Sequence, residues 1–177
     1  MPKIRDLLSR GRPALLAAIV ACCLFPAATA RPAPVKLSPG SLAPQFSRVD
    51  LDGSQVDLRT YRGKVVLIDF WASWCPPCMT EIPHLIDLQK RYGSKGFQVV
   101  AISMDDSVAP VKALAPRFAF NYPVLLGDAK FGNLYGGILG LPVQLLIGPD
   151  GKIVRIWTGD LNPAILEKAI KSAVLRN

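Results

Sequence analysis

Val65-Val66-Leu67-Ile68-Asp69-Phe70-Trp71-Ala72-Ser73-Trp74-Cys75-Pro76-Pro77-Cys78 is the stretch whose reading decides the fold. Its opening run is apolar apart from Asp69, and that continuity predicts a central strand covered on both faces. Beyond the cysteines, Leu85, Ile86 and Leu88 recur at helical spacing, and Gly93 and Gly96 end the pattern, so the spacing predicts a helix opening at the cysteines and running to Tyr92. A disulfide across two intervening residues closes a very small loop, and loop-entropy stabilisation grows with loop length, so a structural staple is poorly placed here. The pair reads as a reversible dithiol.

Working outward, residues 46–49 and 55–58 read as short strands around an Asp52-Gly53 turn. Phe97 to Ser103 is a second buried strand. Val108 to Phe118 reads as a helix, with Pro110 in its first turn and Pro116 as a place where it could stop. Tyr122 to Leu126 is a short strand, and Lys130 to Tyr135 a short helix stopped by Gly136-Gly137. Residues 143–147 and 152–157 flank Pro149-Asp150-Gly151 as an antiparallel hairpin. Asn162-Pro163 then opens a closing helix with Ile165, Leu166, Ala169, Ile170 and Val174 on one face. Alternating strands and helices followed by a hairpin and a helix specify an α/β sandwich with a mixed central sheet.

The chain has 177 residues, enough for one domain with a substantial core. Lys3, Arg5, Arg10 and Arg12 precede the apolar stretch Ala14 to Phe25, and Ala28-Thr29-Ala30 supplies small residues for cleavage, a secretory signal pattern over residues 1–30. Two other readings stand beside it: a lipidated Cys22 after Ile19-Val20-Ala21, and an uncleaved membrane anchor. All three place the rest of the chain outside the cytoplasm, where cysteines can meet an oxidising compartment. Residues 31–44 carry Pro32, Pro34, Pro39, Gly40 and Pro44 and read as an extended linker, leaving residues 45–177 as the folded domain. The leader accounts for three of the eight net positive charges, so the remainder is +5, scattered rather than gathered in a stripe with aromatics. That pattern argues against nucleic-acid binding.

Ala43-Pro44-Gln45-Phe46, Arg62-Gly63-Lys64-Val65-Val66, Phe70 through Cys78, Glu81, Pro83 and Gly140-Leu141-Pro142 ahead of Asp150-Gly151-Lys152 resemble the extracytoplasmic thioredoxin-like family that includes TlpA, ResA and the cytochrome c maturation thioredoxins. The resemblance runs from about Leu42 to Val174. It implies a thioredoxin-like three-layer sandwich with an N-terminal β-hairpin and a helix-strand insertion over residues 107–126. Three positions depart from the family: Asp69, as in cytoplasmic thioredoxins; Val143, where Thr is common; and Gly148, where Asp is usual.

At a helix start, unpaired N–H groups and the positive end of the dipole favour a thiolate, which makes Cys75 the nucleophile and Cys78 the resolving cysteine. Asp69 on the entering strand and Glu81, three residues after Cys78, are placed to receive the proton Cys78 must lose. A carboxyl buried in an apolar strand has a raised pKa, which suits Asp69 to that exchange. By resemblance Asp69 matches the buried thioredoxin aspartate and Glu81 the glutamate of ResA-like proteins. The resemblance also implies that Pro142 is a cis proline facing Cys75, that Leu141 offers backbone to an extended substrate, and that Trp74, Pro76 and Pro77 border the substrate. The expected activity is thiol:disulfide oxidoreduction without cofactor or metal, reducing exported proteins; the resemblance implies apocytochrome c as one client and a DsbD-type membrane thiol donor as the source of electrons. A copper chaperone or metal-site thiol reductase using the same cysteines is the alternative. Zinc is disfavoured because His84 is the only histidine, and a thiol peroxidase because no further cysteine follows Cys78.

Overall fold

The computed structural model describes residues 37–176. The expected leader, residues 1–30, and the start of the expected linker lie outside the described residues. In chain order the strands are β1 (Ser47–Val49), β2 (Gln55–Asp57), β3 (Val65–Trp71), β4 (Phe97–Ser103), β5 (Val124–Leu126), β6 (Val143–Ile147) and β7 (Ile153–Thr158). The helices are α1 (Pro76–Tyr92), α2 (Val108–Phe118), α3 (Ala129–Leu134) and α4 (Pro163–Val174).

Every residue of β3 is buried, as its unbroken apolar run requires of a strand packed on both faces. It lies at the centre of a mixed sheet of order β5-β4-β3-β6-β7, parallel to β4 and antiparallel to β6. The two-residue side-chain period divides the core. Val65, Leu67 and Trp71 pack with Ile82, Leu85 and Leu88 of α1, Val111 of α2 and Leu166 and Ile170 of α4. Val66, Ile68 and Phe70 pack on the other side with Phe46, Val56, Leu58, Phe131 and Tyr135. Helices α1, α2 and α4, the sheet, and the layer of hairpin and α3 make the expected three-layer sandwich.

Two boundaries differ from the sequence expectation by more than one residue. The fold begins before Gln45: Gly40 N–H donates to the Ile153 carbonyl at 2.8 Å, Ile153 N–H to Ser41 at 2.8 Å, and Ala43 N–H to Gly151 at 3.0 Å. Ala43 is buried, and Tyr135 Oη donates to the Pro44 carbonyl at 2.7 Å. Proline removes only its own N–H, so the residues between the prolines remain free to cover the exposed edge of β7. Helix α2 ends at Phe118, as the sequence predicts; it runs through Pro116 and closes on Ala119 in the left-handed region, φ 48°. Strand β5 starts at Val124 rather than Tyr122.

Candidate active site

Strand β3 delivers the chain to the cysteines, and a buried polar clamp holds the loop between them. Met104 N–H donates to the Trp71 carbonyl at 2.8 Å. Asp105, just beyond β4, accepts from Ser73 N–H at 2.9 Å, Ser73 Oγ at 2.6 Å and Ser103 Oγ at 2.6 Å. Parallel pairing of β3 with β4 brings these two strand ends together, with Trp71 opposite Ser103.

Cys75 then caps α1: its backbone is extended, and its Sγ accepts from Cys78 N–H at 3.4 Å. Pro76 and Pro77 occupy the first two helical positions and have no N–H to offer, so Cys78 supplies the donor that a full set would share. Cys75 and Cys78 form a disulfide, and both are buried. Trp74 projects beside them, 67 % exposed.

Behind the disulfide lies a buried polar group of three. Asp69 shares the face of β3 that carries Leu67 and Trp71, and Gln144 of β6 stands directly opposite it in the antiparallel register. Gln144 Nε2 donates to Glu81 Oε2 at 3.1 Å. Burial drives the Asp69 carboxyl up to about 8, the nearby Glu81 carboxyl adds to the rise, and the Gln144 amide opposes it. Burial also raises Glu81, to about 7, with the Leu161 N–H holding it down and the Asp160 carboxyl pushing it up.

The Leu141–Pro142 peptide bond is cis, and Gly159 N–H donates to the Pro142 carbonyl at 2.8 Å. Leu141 packs against the apolar cluster that contains both cysteines and against the cluster on the opposite side of the sheet. On that side a cleft of about 620 Å³ is lined by Leu139, Gly140, Leu141, Tyr135, Ile156 and Thr158. Among the described residues no group of three or more His, Cys, Asp and Glu side chains converges as a metal site.

The Redoxin family matches residues 38–173, which hold the whole of this site. The chain belongs to the Redoxin family. This Redoxin is 32% identical over 138 residues to the thiol-disulfide oxidoreductase ResA of Bacillus thuringiensis subsp. konkukian, covering 77% of this chain and 79% of that protein. It is 33% identical over 131 residues to ResA of Bacillus subtilis, 73% of each. Among solved structures, a thiol:disulfide interchange protein of the thioredoxin family from Chlorobium tepidum superposes with a TM-score of 0.71 at 30% identity, covering 79% of this chain and 99% of that one. The fold is thioredoxin-like, and this Redoxin is a thiol:disulfide oxidoreductase carrying a Cys75–Cys78 pair.

Of the residues singled out in the sequence, the Redoxin fold bonds Cys75 to Cys78, brings Asp69 and Glu81 to one amide, and packs Leu141 against the cysteine cluster. Trp71 is core, 1 % exposed with its ring tilted against Phe120 at 5.9 Å between centroids, whereas Trp74 is surface. Two residues of the site are not among those the sequence singles out. Gln144 carries a signal, a polar residue inside an apolar strand two positions after a proline. Asp105 carries none, because Asp105-Asp106 after a strand reads as an ordinary loop. Asp105→Ala strands three donors in a site where Asp105 itself is 5 % exposed. The expected loss is about 2–4 kcal/mol, checked by urea unfolding of the oxidised protein, with Asp105→Asn losing clearly less because its amide oxygen still accepts.

Proposed function

We propose that this Redoxin works outside the cytoplasm as a reductant of disulfides in exported proteins, apocytochrome c among them, and is itself re-reduced by a membrane thiol donor of the DsbD type. The observation that carries the direction is the pair Pro76-Pro77 at the helix start. A strong oxidant of this kind draws its power from a heavily stabilised thiolate in its reduced form. Here two of the donors that would stabilise the Cys75 thiolate are absent, which favours the oxidised pair and so makes the dithiol a reductant. Among the described residues no helix is long and apolar enough to cross a membrane. Export and anchoring therefore rest on the reading of residues 1–30.

The chemistry follows from the placement of the groups. The Cys75 thiolate attacks one sulfur of the client disulfide, forming a mixed disulfide and expelling the other client sulfur as a thiolate. Cys78 then gives its proton to the carboxyl pair and attacks the Cys75 sulfur, which releases the client as a dithiol and re-forms Cys75–Cys78. At neutral pH Asp69 is largely protonated and Glu81 is partly ionised, so Glu81 is the acceptor that stands ready. Two electrons from the donor thiol complete the cycle. Exposed Trp74 next to Cys75 and the cleft lined by Leu141 offer the client apolar surface.

Equilibration of the purified protein with glutathione tests the direction. The expected potential lies near the roughly −270 mV of thioredoxin, and a value near the about −120 mV of DsbA would make the protein an oxidant instead.

A further inference from the structure

Gln144 is 2 % exposed and interrupts the apolar sequence of β6, a costly place for a primary amide unless its partners repay the burial. Its partners are the two carboxyls. It faces Asp69 across the strand pair and donates to Glu81 Oε2 at 3.1 Å. Around this amide three buried oxygens lack a partner: Asp69 Oδ1, Glu81 Oε1 and Gln144 Oε1. Ionised carboxylates only accept, and so does an amide carbonyl, so each of these oxygens calls for a donor, which a proton held on a carboxyl supplies. A primary amide has both N–H donors for an ionised carboxylate and a carbonyl acceptor for a protonated one, and can therefore serve the two forms together.

We propose that Gln144 is a positioning residue that joins Asp69 and Glu81 into one acid–base unit, which keeps a single proton and has one place free for the proton of Cys78. This rests on the proposed function, in which the carboxyls accept that proton. The other ionisable groups facing the unit are Tyr122, which senses the Asp69 charge from the segment before β5, and Asp160, which acts on Glu81 from the loop before α4; the Leu161 N–H favours the Glu81 carboxylate. Tyr122 is itself raised by burial and stays neutral across the working range. Burial pushes both carboxyls up, and the amide donors favour their ionised forms. Removing the donors therefore moves the unit further up, so that it accepts the Cys78 proton only at higher pH.

The test is the pH dependence, from pH 5 to 9, of the step in which Cys78 releases a peptide client from Cys75, in the full-length protein and in Gln144→Met, Asp69→Asn and Glu81→Gln. Gln144→Met keeps length and loses the donors; Gln144→Leu replaces it if the methionine variant does not fold. The expected result is an acid limb displaced upward by about one pH unit in the Gln144 variant. Glu81→Gln is expected to change the profile less in the Gln144 variant than in the wild type, because the two residues act through one unit. If Asp69→Asn and Glu81→Gln move the limb and the Gln144 variant leaves it in place, the coupling role is overturned while the carboxyl role stands. If none of the three moves it, both fall.

Discussion

Cys75→Ser is expected to reduce disulfide exchange by on the order of a thousandfold or more, whereas Cys78→Ser is expected to keep the first step and stall on the second. The two variants differ because the cysteines hold different places on one helix. Cys75 is the cap residue whose sulfur receives the Cys78 N–H, so its thiolate is the one the helix start supports. Serine at that position presents a hydroxyl, which is not ionised in the working range and cannot form a mixed disulfide. Serine at position 78 leaves the attack by Cys75 intact and removes the thiol that would release the client. Clients should therefore accumulate as covalent adducts of the Cys78→Ser protein, seen as bands on non-reducing gels that vanish with dithiothreitol. Release of client by Cys78→Ser at the wild-type rate would overturn the assignment of Cys78 as the resolving residue.

The second large effect is on stability. The folded state keeps Asp69 protonated up to about pH 8, while the unfolded chain gives up that proton near its ordinary value of 3.8. A raised folded pKa means the native state binds more protons between those limits, so the contribution of Asp69 to stability is greatest below about pH 4 and falls as pH rises toward 8. Glu81, raised from 4.5 to about 7, has the same sign over a narrower window. For Asp69, which is 3 % exposed, the full span amounts to on the order of 5 kcal/mol. Asp69→Asn removes that dependence. The variant should match or fall below the wild type at pH 4 and exceed it by several kcal/mol at pH 9, measured by urea unfolding of the oxidised proteins. Stability curves that run parallel across this range would show that Asp69 titrates normally. A gain in stability together with slower Cys78 chemistry would identify Asp69 as a group kept for function at a cost to the fold.

Much of the fold and of the site is legible in the amino-acid sequence because the governing physics is local. The strand is readable in Val65 to Trp71, since a seven-residue run with one polar member, rich in Val and Ile and too short for a typical helix, fits a strand buried on both faces. The dithiol is readable in Cys75 and Cys78, since a bridge across two residues is too short to brace a chain. A raised pKa is expected of Asp69 because an acid in that strand has no water to ionise into. Boundaries are misplaced where a remote segment decides the outcome. Residues 40–43 look like a tether until the edge of β7 is there to pair with them.

By itself, then, the sequence determined the order of the elements and the pairing of Cys75 with Cys78, and it marked Asp69 and Glu81 as the acids nearest them, because each depends on spacing within a single strand or helix. The tertiary structure alone decided that Asp105, thirty-two positions from Ser73, clamps the loop before Cys75. It also decided that Gln144, sixty-three positions from Glu81, binds that acid while facing Asp69. Strand register sets both: the parallel β3–β4 pairing aligns the ends that carry the clamp, and the antiparallel β3–β6 pairing puts residue 144 opposite residue 69. Register arises from packing two whole faces of a sheet at once, and no window of sequence contains it.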